Sequence, residues 1–370
     1  MPANVEPRIT WSRWILNLSV PRATHIFRRR KSAGRNAPRW VAVKLVAVLF
    51  VACDQQAPGP TPKLDHEKLR IVSFAPAITQ MLVDLGASDG LVAVAKNDDA
   101  APSKLPVVGT YVDPDLETLL ALAPTHVLMM TGKEGAPRRM AELAATGRFR
   151  LITYPSPANL EDVGRILHEE QESAHAKPAK SLGAVLGATE RARKLKYRML
   201  VELGMLSELF ADAGKPRVLM VLATNPIMAS GPGTVHDQLL RKAGASNAAA
   251  KARVGAPTYD RESLLGIDPE LILLLLPRAE PLQGLDHDPR LASFRGLPIK
   301  AVRDGRIVLI NDPLVLLPSS SLSRIAVAMA KAVHPDMVDQ IDEVLSRDTD
   351  GADAMGPTAN GSSESSHVDD

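Results

Sequence analysis

Three side chains stand out because their types and positions could do chemistry. Cys53 is the only cysteine among the 370 residues, so it can neither close an intramolecular disulfide nor join other thiolates around a metal. Glu117 and Glu262 each fall in the first turn of a short predicted helix, where the helix dipole favours an acid. One interpretation is that each glutamate only stabilises its own helix. The other is that the two carboxylates dock onto paired arginines of a partner through bidentate contacts. Both interpretations of the pair stay open at this point.

The two glutamates belong to an internal repeat. Residues 114–130, PDLETLLALAPTHVLMM, align with residues 259–275, YDRESLLGIDPELILLL, so that Asp115 meets Asp260. Each copy has the pattern of a short helix followed by an apolar strand. The repeat therefore predicts two similar lobes, and the space between two lobes is where ligands usually bind.

The chain from Leu69 onward alternates strand-like and helix-like segments, which is typical of the α/β class with a central, mostly parallel sheet flanked by helices in each lobe. Residues 180–213 contain no proline and keep a helical spacing of leucines, which predicts one long helix between the lobes. The predicted boundaries are an N-terminal lobe at 69–178, an interdomain helix at 179–213, a C-terminal lobe at 214–336, and a helical end with a disordered acidic tail at 337–370.

The charge distribution argues against nucleic acid as a partner. Apolar residues make up 45% of the chain and charged residues 23%, which is enough for a sizeable core. The formal net charge of +2 hides an asymmetry, because residues 1–52 hold ten basic residues and one acid. The remaining 34 basic and 41 acidic residues give the body a net charge of −7. Nucleic-acid binding needs a basic face, so we expect none here.

The amino terminus resembles the export signal of a bacterial lipoprotein. Residues 27–53, FRRRKSAGRNAPRWVAVKLVAVLFVAC, place a basic stretch before an apolar run that is shorter than the about 20 residues needed to span a bilayer. We predict an export signal with a basic extension at 1–52, and a lipidated Cys53 with a flexible tether at 53–68. The protein is then expected to be exported and membrane-anchored, facing the periplasm or the cell exterior. The alternative is a short buried helix with a free core cysteine.

The catalytic motifs in the chain lack the context that their chemistry requires. Residues 86–90 fit the hydrolase pattern G-x-S-x-G, but a helix precedes them and a strand follows, the reverse of a nucleophile elbow. Gly132-Lys133 is followed by a glutamate where a P-loop needs a hydroxyl. The nine histidines show no ligand spacing. An enzyme on a similar two-lobed frame, such as a chelatase or hydrolase, remains the alternative to a binding protein.

Three segments together resemble the helical-backbone, class III periplasmic binding proteins, which serve ABC importers of haem, cobalamin and ferric siderophores. They are RIVSFAPAITQMLVDLGA (70–87), LPVVGTYVDPDLETLLALAPTHVLM (105–129) and TYDRESLLGIDPELILLL (258–275). The resemblance covers roughly 69–335. It implies a monomeric two-lobed receptor, without catalysis or a cofactor of its own, that delivers a small-molecule metal chelate to a permease whose ATPase is a separate chain. Glu117 and Glu262 are then the permease-docking residues. A receptor acting without a transporter is a further alternative.

The resemblance also implies which residues line the cleft. In the first lobe they are Ser73, Phe74, Ala75, Pro76, Asn97, Tyr111 and Lys133, and in the second Thr224, Asn225, Tyr259 and Arg278. The haem-binding branch commonly uses a tyrosine directly after a Val-Gly turn as an iron ligand, and in this sequence that turn is Val108-Gly109. Here Thr110 takes that place, and Tyr111, one residue later, is the predicted metal ligand. The ligand is expected to be haem or a corrinoid, ahead of a ferric siderophore.

Overall fold

The computed structural model describes residues 69–102, 104–169 and 180–354, with side chains to residue 346. The predicted export signal, Cys53, the tether and the acidic tail lie outside the described residues. Within the described ranges, no helix is long and apolar enough to cross a membrane.

The first lobe is built on a four-stranded parallel sheet in the order β2-β1-β3-β4. All six residues of β3 are buried, which is the pattern expected of a central strand covered by helices on both faces. Proline opens the first helix at a position that needs no backbone N–H. The elements are β1 (Ile71–Ser73), α1 (Pro76–Asp84), β2 (Leu91–Val94), α2 (Leu116–Ala121), β3 (His126–Thr131), α3 (Arg138–Ala145), β4 (Arg150–Pro155) and α4 (Leu160–Leu167).

The second lobe carries a mixed sheet in the order β10-β9-β5-β6-β8, with β7 also paired to β5. Strands β10, β9, β5 and β7 run parallel, whereas β6 and β8 are antiparallel to their neighbours. The elements are β5 (Arg217–Thr224), β6 (Ile227–Ala229), α7 (Val235–Lys242), β7 (Ser246–Asn247), β8 (Thr258–Tyr259), α8 (Arg261–Ile267), β9 (Leu271–Leu275), α9 (Lys300–Arg303), β10 (Ile307–Ile310) and α10 (Leu322–Val333).

A long helix, α6 (Thr189–Leu209), lies between the lobes in the sequence and packs on helices of both. The helix predicted as continuous over 179–213 is interrupted, because a short helix, α5 (Leu182–Val185), ends before Gly187 adopts a left-handed φ of 62°. Helix α5 then folds back onto α6 at Gly183, where a Cβ atom would lie 2.6 Å from the Cβ of Ala192. This close approach requires glycine, so the interruption follows from packing and not from helix propensity.

The two lobes share a core along α6. One continuous apolar cluster runs from α1 and α4 of the first lobe, through the buried face of α6, to α7 and α10 of the second. The terminal helix α11 (Val338–Ala354) also packs on α6. A backbone contact adds to the apolar packing, since the Leu160 N–H donates to Gln238 Oε1 at 3.2 Å. The structure thus confirms the predicted α/β fold of two sheet-and-helix lobes joined by a long helix.

Candidate functional site

The predicted cleft residues lie where the parallel strands end. Ser73 and Thr224 are the last residues of β1 and β5, Lys133 follows β3, and Arg278 follows β9. Ligands of open α/β sheets bind outside the carboxyl ends of the strands, where backbone groups and loop side chains converge. This edge of each sheet is therefore the candidate functional site.

The loops of the two lobes meet at this edge. Arg278 Nη2 donates to the carbonyl of Asp99 at 3.1 Å, and Arg278 Nε lies 3.5 Å from Asp99 Oδ2. The Arg278 N–H donates to the carbonyl of Asn311, which ties the arginine to the end of β10. Both side chains are more than half exposed, so the pair contributes on the order of 0–1 kcal/mol and can exchange for another anion. Sequence spacing could not have found Asp99, because its partner lies 179 residues away.

Backbone strain is present on both sides of this contact. Asn97 has a φ of 62° and Arg278 a φ of 54°, in the left-handed region that side chains disfavour. Such residues are held in place only when the surrounding structure determines them, and they cluster at ligand clamps and active sites. Asn97 is exposed, so its amide is available at the edge of the first lobe.

The loop that carries Tyr111 is a tight turn bound to the neighbouring strand end. The Gly109 carbonyl accepts a hydrogen bond from the Lys96 N–H at 2.7 Å, and the Thr110 N–H donates to the Asp113 carbonyl at 3.0 Å. The structure therefore brings the loop of Asn97 and the loop of Tyr111 together. The Tyr111 ring is half-buried and packs against the apolar core of the first lobe. Its role as a metal ligand stays a prediction.

A buried polar network lies beneath this edge of the first lobe. The Thr79 hydroxyl lies 2.6 Å from Asp98 Oδ2 and 2.8 Å from Ser73 Oγ. The Ala100 N–H donates to Asp98 Oδ1 at 3.1 Å. Burial raises the pKa of Asp98 to about 6, against the lowering effect of these hydrogen bonds. No sequence pattern pointed to Thr79, which lies among the apolar residues of α1.

The side chains of Ser73, Phe74 and Ala75 face into the protein. Ser73 is 0% exposed and belongs to the network of Asp98, while Phe74 is 1% exposed and packs in the core of the first lobe. Pro76, at the start of α1, is half-buried, and Lys133, in the loop after β3, is exposed. Ligand contact by these residues stays a prediction.

The pH dependence of stability offers a test of the Asp98 network. Between about pH 4 and pH 6 the folded state keeps a proton on Asp98 that the unfolded state releases, so stability falls as pH rises through this window. Above pH 6 the buried carboxylate costs on the order of 3 kcal/mol. We expect Asp98→Asn to be more stable than the parent above pH 6, and the difference to vanish near pH 4, in urea unfolding at several pH values.

The neighbouring Asp99 provides the matched control, because its carboxylate is exposed. Asp99→Asn removes only an exposed ion pair with Arg278, so it is expected to change stability by no more than about 1 kcal/mol. Equal pH profiles for the Asp98 and Asp99 variants would contradict the raised pKa of Asp98.

In the second lobe, strand pairing brings together three predicted residues. Thr224 ends β5 and Asn225 lies in the turn to β6, while Ile227 of β6 pairs with Tyr259 of β8. Tyr259 is half-buried, and burial raises the pKa of its hydroxyl. The short antiparallel strands that create this cluster were not predicted from the sequence. The Asn-Pro dipeptide at 225–226, between two apolar runs, was the one signal of a turn.

The repeated glutamates occupy equivalent places. Glu117 and Glu262 are exposed in the first turns of α2 and α8. An aspartate two residues earlier caps each helix. The Asp115 side chain accepts the Thr118 N–H at 3.0 Å, and the Asp260 side chain accepts the Ser263 N–H at 2.8 Å. Exposed apolar side chains flank both: Val112 is 55% exposed, and Leu265 is 45% exposed. Such apolar exposure beside charge is typical of a surface that binds another protein.

Among the described residues, no group of three or more His, Cys, Asp or Glu side chains is placed to hold a metal ion.

Residues 71–314 match the sequence model of the family described as periplasmic binding protein. The vitamin B12-binding protein of Salmonella typhimurium is 26% identical over 234 residues, which cover 63% of this chain and 82% of that protein. The structure of a periplasmic haem-binding protein from Pseudomonas aeruginosa superposes with a TM-score of 0.55 at 25% identity, covering 72% of this chain and 92% of that one.

The periplasmic haem-binding protein HutB of Vibrio cholerae has the same fold, with a TM-score of 0.57 at 23% identity. The match covers 72% of this chain and 100% of HutB.

Proposed function

We propose that this chain, which belongs to the periplasmic binding protein family, is the substrate-binding component of an ABC importer for a metal chelate. The family resemblance inferred from the sequence is confirmed by the match over residues 71–314. Its relatives are named as binding proteins for vitamin B12 or haem. The ligand and the delivery to a permease are the parts of the proposal that need their own support.

The observation that carries the proposal is the meeting of the two lobes at the carboxyl ends of their strands. Arg278 of the second lobe reaches Asp99 of the first through a hydrogen bond and a weak ion pair. A ligand bound between the lobes can displace this contact at little cost, because both partners are solvated. The shared core along α6 restricts hinge motion, so ligand entry depends on small movements of these loops.

The side chains near this edge favour a ligand with carboxylate or phosphate groups and a large apolar body. Arg278 and the exposed Lys133 can bind anionic substituents, such as the propionates of haem or the phosphate of a corrinoid. Tyr111 offers ring surface and a phenolic oxygen. We place haem and corrinoids ahead of ferric siderophores.

Ligand titration tests this proposal directly. Residues 54–370, mixed with haemin or with cyanocobalamin, are expected to bind one of them at a 1:1 ratio with a submicromolar Kd and without turnover. The measurements are the visible spectrum and calorimetry. If haem is bound through Tyr111, Tyr111→Phe abolishes the shift of the Soret band and weakens binding at least about tenfold.

Tyr197→Phe, on the exposed face of α6, is the matched control and should bind as the parent does. Absence of binding to both chelates would reject the ligand class, and an unchanged band in Tyr111→Phe would reject Tyr111 as the metal ligand.

The proposal includes export and attachment to a membrane by lipid at Cys53. It rests on the basic stretch, the short apolar run and the lone cysteine of residues 27–53. A lipidated receptor stays near its permease, which raises the effective concentration at which the two meet.

A further inference from the structure

The outward face of α6 combines basic and apolar side chains that the transport role does not use. Five basic residues, Arg191, Arg193, Lys194, Lys196 and Arg198, fall within eight positions, in a body whose net charge is −7. We define the α6 basic face as Arg193, Lys194, Tyr197, Arg198 and Leu200, all of which are exposed.

Helix geometry explains why these side chains share one face. Ala192, Leu195 and Met199 recur at three- and four-residue intervals and are buried against the shared core. The positions between them therefore turn outward. Tyr197 is 49% exposed and Leu200 is 41% exposed, which makes them two of the six large apolar side chains that are exposed in the described part of the chain.

The point at which the chain enters the body lies beside the same end of α6. Leu69, the first described residue, lines a surface recess of about 210 Å³ together with Gly86 and Arg191. Fifteen residues, 54–68, separate Cys53 from Leu69, and a chain of that length spans at most about 50 Å. The basic residues occupy the first three turns of α6, at the end nearest Leu69. A membrane anchor at Cys53 would thus leave the α6 basic face within reach of a lipid surface.

We infer that the α6 basic face binds the headgroups of an anionic phospholipid membrane. Lysine and arginine contact the lipid phosphates, while Tyr197 and Leu200 enter the interface between headgroups and acyl chains. The inference does not rest on the identity of the ligand or on the permease, and binding to vesicles does not require the lipid on Cys53.

Vesicle sedimentation tests this inference with residues 54–370. At low salt, binding to phosphatidylcholine vesicles that contain one-third phosphatidylglycerol should exceed binding to pure phosphatidylcholine vesicles at least about tenfold. Removing two charges in Lys194→Gln with Arg198→Gln should weaken binding to the anionic vesicles about 25-fold, since each basic residue contributes about fivefold. Tyr197→Ala should weaken binding without changing its salt dependence.

The matched control removes two exposed charges from another helix, in Arg138→Gln with Arg139→Gln on α3. This variant should bind anionic vesicles within about twofold of the parent. Equal binding of the parent to both kinds of vesicle would overturn the inference. Equal losses in the α6 and α3 variants would also overturn it, because binding would then follow net charge alone. Ligand titration of the same variants would be unaffected, so failure here is distinguishable from failure of the transport proposal.

Discussion

Reversal of the two glutamates that we propose dock onto the permease, in Glu117→Arg with Glu262→Arg, is expected to abolish transport while leaving ligand binding intact. Each exposed carboxylate is proposed to form charge-assisted hydrogen bonds with permease arginines, and such bonds contribute about 1.5–3 kcal/mol each. Replacing both by arginine adds repulsion to the loss, so docking should weaken by at least about 1,000-fold. The measurement is ligand uptake, and ligand-stimulated ATP hydrolysis, by the importer in vesicles.

The fold should tolerate this double change. The aspartate caps of α2 and α8 remain, and each charge reversal at a helix N-terminus costs about 0.3–1 kcal/mol. Glu161→Arg with Glu190→Arg is the matched control, because both residues are exposed in the first turn of another helix. It carries the same dipole cost, adds the loss of two exposed ion pairs with Arg165 and Arg193, and should transport normally. Normal transport by the Glu117 and Glu262 variant would refute the docking roles, and loss of its ligand affinity would place the glutamates in the binding cleft.

Substitution of Gly109 by alanine should be among the most destabilising single changes in the first lobe. Gly109 has a φ of 81°, and an added Cβ would lie 2.4 Å from the Asp113 carbonyl oxygen and 2.9 Å from the Asp115 nitrogen. Both obstacles are backbone atoms of the same tight turn, so neither can rotate away. We expect Gly109→Ala to lower the free energy of unfolding by about 3 kcal/mol or more in urea titrations.

The same change should weaken ligand binding and permease docking, because the turn sets the positions of Tyr111 and of the helix that carries Glu117. Gly135→Ala is the matched control: its φ is 73°, yet no other atom lies within 4 Å of the added Cβ. It bears only the backbone cost, about 1 kcal/mol. Similar losses in both variants would mean that the turn at Gly109 can relax.

The sequence was sufficient where local pattern decides structure. The apolar runs of β3 and β9 predicted buried strands, and the repeat predicted a short helix with each glutamate in its first turn, which are α2 and α8. The repeat between the lobes follows from the same patterns, because period and capping act over a few residues. The family could be recognised for the same reason.

Prediction failed where packing overrides propensity. The helix expected over 179–213 breaks near Gly187, since α5 folds back to bring Gly183 against Ala192. Helix α4 and the short strands β6 and β8 were missed because few residues define them and their pairing partners fix their conformation.

The sequence by itself determined the α/β class, the two-lobed repeat, the paired glutamates and the family. Only the tertiary structure decided that Phe74 faces the core, that Thr79 contacts Asp98, and that Arg278 meets Asp99 across the lobes. These contacts join residues that are distant in the chain, and their distances depend on how the sheets and α6 pack. The spacing of residues along the chain does not reveal these distances, because they are set by the packing of distant segments.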